Sequence, residues 1–323
     1  MSKIPEEMKS WHPDRPTSKG STAYHDAVSN AVYYLENLDE LARMIKEKIK
    51  ANDIVVDFGA GTGVSALCLL KKLQVPFKLY LVDNSPAWLG KAHEIFDGNE
   101  NVRCFLLDKI NARYATLAET IGHSVADHVL SANTVHLIPD LEECFAGISL
   151  ALKKGGSFTF QSGNIARASR KEGVLMVDDT IKRVHDIAME IVRTDASYSK
   201  YKSDLDRNIE LEREQRKFVF PEPRGEEAYL NALRNSGFKE IESHYKLIRI
   251  GYDDWLDFLR VKRLQAGILP EIGGKDPSQE EERDRDCIIT AASKKLFKEL
   301  ETQNPMADGK SFTVEWVYVS SVK

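Results

Sequence analysis

The chain has 323 residues, more than an average domain holds, so a single core would be large for its class. Its 45 basic and 50 acidic side chains give a formal charge of −5, which disfavours the strongly basic face that holds a phosphate backbone. With 42% hydrophobic and 29% charged residues, the composition is that of a soluble globular protein. Disorder over most of the chain is thereby excluded.

The first residues lack the apolar segment of a secretory signal, and no run approaches the roughly 18 apolar residues of a membrane-spanning helix. The four cysteines lie far apart in the sequence and form no Cys-x-x-Cys pair. Free thiols of this kind are typical of a reducing compartment. We therefore expect a cytoplasmic protein.

Residues 1–50 are predicted to form a helical segment that precedes the core. From about residue 51, short apolar strand patterns alternate with helical patterns. The strand patterns lie at residues 54–58, 77–82, 102–107, 126–132 and 157–161. The helical patterns lie at residues 64–73, 86–96, 112–121 and 141–152. Such alternation predicts a parallel sheet with helices on both faces.

After Gly163 this alternation stops. Residues 164–235 are mostly helical and highly charged, and a strand pattern returns at 238–250. A second helical stretch covers about 251–300, and an alternating pattern at 311–319 predicts a last strand. Because strand patterns return after each helical stretch, we interpret both stretches as inserts. The predicted organisation is a core at 51–163, an insert at 164–235, and closing strands at 236–323 that contain the second insert.

The most informative segment runs from Asp57 to Gly63, where a strand leads into a glycine-rich turn and then a helix. Glycines permit positive φ and let a ligand approach the backbone, and the helix N-terminus offers free N–H groups to anionic oxygens. Asp83 ends the next strand and could accept hydrogen bonds from ribose hydroxyls. The segment indicates a nucleotide-type ligand.

Two ligands of this type fit the turn to different degrees. A dinucleotide fingerprint requires glycine or alanine where this chain has Val64, although Gly59 and Gly61 match. Asp57 would repel a pyrophosphate and attract a cationic group such as an ammonium. This arrangement resembles motif I of the class I S-adenosylmethionine-dependent methyltransferases.

The resemblance extends in order over residues 51–163. Residues 105–109 are similar to the third-strand motif of that family, residues 127–136 to its fourth-strand motif, and residues 152–158 to the turn before its fifth strand. Lys154 stands where the family usually has proline, a departure that affects turn stiffness. The resemblance implies a doubly wound, Rossmann-like α/β fold whose seven-stranded, mostly parallel sheet has an antiparallel last strand. It also implies S-adenosyl-L-methionine as cofactor.

By this resemblance, a set of residues would bind the cofactor, with an N-terminal helix as a lid: Tyr24, Asp57, Gly59, Ala60, Gly61, Asp83, Asn84, Asp108, Lys109, Ser131 and Asn133. Asp57 and the turn would meet the amino-acid end, and Asp83 would hold the ribose. Asn84 and Ser85 would border the ribose and adenine, and Asp108 and Lys109 would line the adenine. Ser131 and Asn133 would lie beneath the methionine part. The alternative for Asp83 and Asp108 is that each only caps the following helix.

Methyl transfer is an in-line displacement, so the protein has to align donor and acceptor and exclude water. A base is needed only where the acceptor must lose a proton, and His136 is the candidate. The alternative is a loop histidine with a structural hydrogen bond.

The variable segments should form the acceptor pocket, with these aromatic and apolar candidates: Tyr198, Tyr201, Phe218, Phe220, Trp255, Phe258 and Leu259. Core packing is the alternative for the residues at 254–259. The inserts favour a covered pocket for a small or medium organic molecule, with oxygen, nitrogen and carbon acceptors all open. No Asn/Asp-Pro-Pro-Tyr/Phe string and no metal-ligand spacing occurs, so we expect neither a nucleic-acid nor a membrane partner and no metal. A homodimer stays open, as do an NAD(P)-dependent oxidoreductase and a non-catalytic S-adenosylmethionine-binding module.

Overall fold

A computed structural model describes residues 10–14, 18–111 and 113–323, apart from the side chains of Gln215 and Phe218. Residues 1–9 and 15–17 of the predicted N-terminal segment, Ala112 at the start of the helix predicted at 112–121, and the side chain of the pocket candidate Phe218 therefore lie outside the described residues. Within the described residues, none of the helices is long and apolar enough to span a membrane.

The strands are β1 (Ile54–Phe58), β2 (Lys78–Asp83), β3 (Val102–Leu106), β4 (Lys109–Ile110), β5 (Arg113–Tyr114), β6 (Ala126–Ala132), β7 (Leu152–Ser162), β8 (Ile165–Ala166), β9 (Arg224–Gly225), β10 (Lys239–Gly251) and β11 (Ser311–Val322). The helices of the first half are α1 (Lys19–Ser29), α2 (Val32–Lys46), α3 (Val64–Lys72), α4 (Pro86–Ile95), α5 (Leu117–Ile121) and α6 (Leu141–Ala151). Those of the second half are α7 (Val177–Thr194), α8 (Ser199–Lys202), α9 (Leu205–Val219), α10 (Glu226–Asn235), α11 (Tyr252–Leu259), α12 (Lys262–Ile268) and α13 (Gln279–Gln303).

Seven strands form one sheet in the order β10-β11-β7-β6-β1-β2-β3. The pairs among β7, β6, β1, β2 and β3 are parallel, and β11 runs antiparallel to both β7 and β10. The predicted fold, a mostly parallel seven-stranded sheet with an antiparallel last strand, is confirmed. From β1 the chain adds β2 and β3 on one side and β6 and β7 on the other, so the order of the strands switches between β1 and β6. Open α/β sheets bind ligands in the crevice at the carboxyl ends of the strands at such a switch point.

Apolar residues from alternate strand positions pack into a cluster on each face of the sheet. On one face, α2 buries Leu38, Leu41, Ala42 and Ile45, which share one side of the helix because of their i, i+3, i+4, i+7 spacing. On the other face, α6 packs with Phe158 and Phe160 of β7. Both faces of the central strands are therefore covered, which explains their continuous apolar sequence.

The larger part of the two predicted inserts lies on the same face as α2. The buried side of α7 carries Ile181, Val184, Ala188 and Val192, and these residues belong to one cluster with buried residues of α13. Helix α10, at the end of the first insert, instead packs with α6 on the opposite face. A short parallel strand pair, β8 with β9, connects the two ends of the first insert. The helices α7, α11, α12 and α13 thus form one layer over the sheet.

The helix predicted at residues 112–121 is wrong in its first half. Lys109–Ile110 and Arg113–Tyr114 pair as a small antiparallel hairpin, and Asn111 in its turn has a φ of 56°. The helix begins after Thr116, whose side chain forms a capping box with Glu119. Because the capping box fixes the helix start, the apolar periodicity before it belongs to the hairpin.

Candidate functional site

The glycine-rich turn lies between β1 and α3, at the carboxyl ends of the central strands. Gly59, Gly61 and Gly63 have φ values of 76°, 55° and 83°, a region that favours glycine. A Cβ at Gly59 would also clash with the side chain of Thr134. The amides of Gly59 and Ala60 donate to the carbonyl of Val82 at 2.8 and 3.1 Å, so the first half of the turn is braced against β2. Gly59 and Ala60 therefore shape the site, and these two amides are already used.

Asp57 lies at the carboxyl end of β1 and is completely buried. The hydroxyl of Ser65 donates to Oδ2, whereas Oδ1 has no hydrogen-bond partner among the described residues. Burial raises the pKa of the Asp57 carboxyl to about 7, and the charge of Asp83 adds to this shift. A buried acceptor without a donor is costly, so the free oxygen suits a cationic donor such as an ammonium.

Asp83 ends β2 and connects two parts of the site. Its Oδ2 accepts the amide of Gly61 at 2.8 Å, and its Oδ1 accepts the amide of Ser85 at 2.8 Å. Burial raises the pKa of this carboxyl, and the two backbone hydrogen bonds oppose the effect. Each carboxylate oxygen can accept a further hydrogen bond, so Asp83 could still bind a pair of hydroxyls.

Three of the predicted residues at this edge of the sheet face solvent. Asn84 follows β2, and Asp108 and Lys109 follow β3; all three are exposed. They lie at the same edge as Asp83 because β2 pairs with β3 in parallel register, with Asp83 opposite Leu106. The structure thus brings Asp108 and Lys109 beside the predicted site.

Ser131 and Asn133, at the end of β6, have different environments. The buried hydroxyl of Ser131 donates to the carbonyl of Phe58 at 2.7 Å, which ties β6 to the end of β1. Asn133 has a φ of 51°, and its Oδ1 accepts the indole N–H of Trp316 at 3.1 Å. Burial raises the pKa of Tyr34, and the nearby Asn133 side chain opposes this effect. Asn133 is therefore fixed among aromatic side chains.

The first helix packs over the glycine turn. Tyr24 of α1 stacks on Trp88 of α4, with ring centroids 4.4 Å apart and ring planes at 23°. The hydroxyl of Ser21 donates to the carbonyl of Ala87 at 2.8 Å, and the ring of His25 hydrogen-bonds with Thr62 at 3.2 Å. Burial raises the pKa of Tyr24, and the neighbouring Tyr34 adds to this shift. The structure places Tyr24 over the glycine turn, and its role in binding the cofactor stays a prediction.

His136 lies in a 3₁₀ turn, Val135–Leu137, just after β6. Its Nδ1 is 2.9 Å from the hydroxyl of Ser162. Arg224 holds the turn by donating to the carbonyls of Val135, His136 and Ile138. Burial, and then the charge of Arg224, lower the pKa of His136 to about 4. The imidazole is therefore neutral at pH 7, which leaves both interpretations of His136 open.

The pocket candidates separate into core and surface residues. Trp255 and Leu259 are almost completely buried, and Trp255 packs against Phe312 with ring centroids 5.4 Å apart. These two residues belong to the core, as the alternative for 254–259 predicted. Tyr201 donates to Asp284 on α13 at 2.6 Å, and Tyr198, Phe220 and Phe258 pack against the core while partly exposed.

Sequence reasoning missed several side chains that border the site: Tyr34, Trp88, Arg263 and Trp316. Trp88 had a local signal, since it lies one turn into the helix that follows Asp83. Trp316 is 183 residues from its partner Asn133. No local pattern could have placed it there.

Comparisons with known proteins agree with this geometry. A family described as a methyltransferase domain matches residues 49–218. Carboxy-S-adenosyl-L-methionine synthase of Helicobacter pylori (strain HPAG1) is 29% identical over 101 residues, 30% of this chain and 42% of that protein. Lovastatin nonaketide synthase mokA of Monascus pilosus is 29% identical over 127 residues, 39% of this chain and 4% of that protein. The matches thus span less than half the length of these curated relatives.

A solved structure of phosphoethanolamine N-methyltransferase 2 of Haemonchus contortus, in complex with S-adenosyl-L-methionine, has the same fold. The TM-score is 0.51 at 18% identity, over 94% of this chain and 56% of that one. The methyltransferase family covers more than half of the present chain, and the sheet has the strand order and antiparallel strand described above. The chain therefore belongs to the class I S-adenosylmethionine-dependent methyltransferases.

Proposed function

We propose that the protein transfers a methyl group from S-adenosylmethionine to a small or medium-sized organic molecule. The observation that carries the proposal is Asp57, a completely buried carboxylate with one free oxygen beside a glycine turn. A pyrophosphate would be repelled at this position, whereas an α-ammonium group would supply the missing donor. This preference argues against the dinucleotide-dependent oxidoreductase.

The cofactor supplies an electrophilic methyl group when it is bound. On this proposal, Asp57 binds the ammonium of the cofactor, and Asp83 accepts hydrogen bonds from the ribose while it holds the turn through Gly61. Trp88 and Tyr24 would enclose the adenosine, with Asn84, Asp108 and Lys109 at its outer edge. Ser131 would act indirectly, by fixing the end of β1.

Aromatic side chains would form the acceptor side of the site, around Asn133. Trp316 hydrogen-bonds to Asn133, and the ring centroid of Tyr33 lies 6.2 Å from the rings of Trp316 and Tyr34. We propose that residues 18–50 and the insert helices α7, α11, α12 and α13, which pack on this face of the sheet, cover the pocket. A covered pocket with aromatic walls excludes water and favours a small acceptor over a polymer. Oxygen, nitrogen and carbon acceptors all remain candidates.

A general base is needed only for acceptors that must lose a proton. His136 remains our candidate, because a neutral imidazole at pH 7 can accept a proton and its Nδ1 is held by Ser162. Replacing His136 by glutamine should then lower turnover while leaving cofactor affinity nearly unchanged. Full turnover in this variant would show that alignment of donor and acceptor suffices.

Calorimetric titration with S-adenosylhomocysteine and with NAD(H) tests the choice of cofactor. We expect binding of S-adenosylhomocysteine alone, and binding of NAD(H) alone would overturn the proposal.

Incubating the protein with cell extract and radiolabelled S-adenosylmethionine tests the acceptor class. Label should appear in the small-molecule fraction; label confined to RNA or protein would contradict a small acceptor, and no label at all would favour the non-catalytic binding module.

The free cysteines, among them the buried Cys68 and Cys104, fit the cytoplasmic location that we include in the proposal.

A further inference from the structure

Trp88, beside the glycine turn, contacts two side chains from distant parts of the chain. The edge of its indole lies against Gly61, because a Cβ at that glycine would be 3.2 Å from Cε3 and 3.7 Å from Cζ3 of the ring. Tyr24 stacks on this indole, and the guanidinium carbon of Arg263 lies 4.5 Å from its ring centroid. Exposure rises outward, from the fully buried Asp57 through the half-buried Trp88 to the exposed Arg263. The stack therefore forms the outer wall of the site.

Arg263 also interacts with the site electrostatically. Its positive charge lowers the pKa of Asp83 and that of Tyr24, against the larger effect of burial in both cases. The guanidinium is thus near the ribose-side carboxylate as well as the indole face. A planar guanidinium suits this position, since it stacks on an aromatic ring and keeps its charge at every physiological pH.

The second insert holds Arg263 on a well-anchored helix. Leu264 and Ile268 of α12 are buried. Arg285 of α13 donates to the carbonyls of Leu269 and Gly274, in the loop that follows α12, at 3.1 and 2.6 Å. The side chain of Glu271 is completely buried against Arg216 and His185. The segment that carries Arg263 is therefore anchored to α7, α9 and α13.

Lys262, the neighbouring cation on α12, points elsewhere. Its Nζ pairs with Glu282 at 2.7 Å, and its side chain is 72% exposed. The two adjacent cations differ mainly in whether they contact Trp88. Lys262 is thus a matched control for Arg263.

We propose that Arg263 is a positioning residue that holds Trp88 over the glycine turn, so that the second insert closes the cofactor site and slows cofactor release. The inference rests on the proposed function, because it takes the ligand of the site beside Trp88 to be the cofactor. Asp57 is completely buried, and the Trp88 ring lies against Gly61 of the same turn, so we take Trp88 to border the path by which a cofactor reaches Asp57. On this inference, loss of the contact between Arg263 and Trp88 speeds the exchange of product for fresh cofactor.

The test measures release of tritium-labelled S-adenosylhomocysteine, chased with excess unlabelled compound. Arg263→Ala should release the label about two- to fivefold faster than the unmodified protein, the range that a surface cation–π contact gives. Arg263→Lys should lie between the two, because lysine keeps the charge and loses the planar stacking. Lys262→Ala should match the unmodified protein.

A double-mutant cycle with Trp88→Phe distinguishes positioning through Trp88 from a general effect of the charge. The effect of Arg263→Ala should shrink when Trp88 is already replaced. Equal effects in both backgrounds, or a release rate of Arg263→Ala equal to that of Lys262→Ala, would overturn the inference. Failure of the unmodified protein to bind S-adenosylhomocysteine would instead overturn the proposed function, so the two failures are distinguishable.

Discussion

Asp57 and Asp83 carry the same chemical group in two different environments. Asp83 accepts backbone amides on both oxygens, whereas Asp57 accepts one hydroxyl and keeps one oxygen free. Burial raises the pKa of both carboxyls, and that of Asp57 reaches about 7. The Asp57 carboxyl thus changes its charge near neutral pH, which is the behaviour expected if it binds a cationic ligand.

This difference predicts a pH-dependent cofactor affinity. Below pH 7 the folded protein keeps Asp57 protonated, so binding of an ammonium must release that proton. The affinity for S-adenosylhomocysteine should therefore strengthen as pH rises, by at most about tenfold per unit, and level off above the pKa. Calorimetry at a series of pH values measures this directly. Asp57→Asn should bind more weakly and lose this pH dependence, and a flat profile for the unmodified protein would contradict the assignment.

A second prediction compares the two strand-end acids after β2 and β3. Asp83→Ala removes buried hydrogen bonds and the support of Gly61, so cofactor affinity should fall by about 1–3 kcal/mol. Asp108 is exposed, so Asp108→Ala should have a clearly smaller effect. The same calorimetric titration measures both variants. Equal losses would mean that exposure does not distinguish the roles of the two acids.

Among the secondary-structure elements, α9 is joined to its neighbours by a buried ionic contact. Arg216 of α9 donates to Glu271, whose side chain is completely buried, and His185 of α7 is 3.2 Å from the same carboxylate oxygen. Burial, and then the charge of Arg216, lower the pKa of His185 to about 4, so the ring is neutral at pH 7. Arg216 therefore carries the positive charge that balances Glu271.

Removing that charge should destabilise the helical layer. Arg216→Leu leaves a buried carboxylate without a cation and should lower the free energy of unfolding by about 3–5 kcal/mol. Replacing both Arg216 and Glu271 by leucine should recover most of the loss, since no buried charge remains. Urea denaturation measures the effect.

Arg213 on the same helix supplies the control for this prediction. It is 54% exposed and pairs with Glu210, so Arg213→Ala should change the free energy of unfolding by less than about 0.5 kcal/mol. An Arg216→Leu variant as stable as Arg213→Ala would show that the contact with Glu271 does not hold α9 in place.

For the molecule as a whole, buried histidines make the free energy of unfolding depend on pH. His136 and His185 both have pKa values lowered to about 4 by burial, against an ordinary value near 6.5. Between these two values the unfolded chain binds protons that the folded chain does not. Above about pH 6.5 these histidines are neutral in both states and do not affect the free energy of unfolding. As pH falls from about 6.5 to about 4, protonation of the unfolded chain lowers the free energy of unfolding.

The free energy of unfolding should accordingly decrease between about pH 6.5 and 4, by up to about 3 kcal/mol for each histidine. The raised pKa values of Asp57 and Asp83 act in the opposite sense over part of this range. A variant with both His136→Gln and His185→Gln keeps those carboxyls, so its difference from the unmodified protein isolates the histidines. Urea denaturation at several pH values gives both curves. Parallel curves would contradict the prediction.

The sequence by itself determined the parts of this protein whose signals are local. The alternation of strand and helix patterns predicted the parallel sheet, because side-chain periodicity is set by each element's own geometry. The glycine turn, Asp57 and Asp83 could be identified because strand, turn and helix follow one another within a few residues. Parallel pairing then brings those strand ends to one edge of the sheet.

Only the tertiary structure decided how that edge is enclosed. The free oxygen of Asp57 and its raised pKa depend on what packs over β1. Trp316 and Arg263 reach the site from segments far along the chain, and such contacts leave no periodic pattern in the sequence. Burial and pairing are properties of the packed assembly, because each side chain's surroundings are supplied by residues distant in sequence.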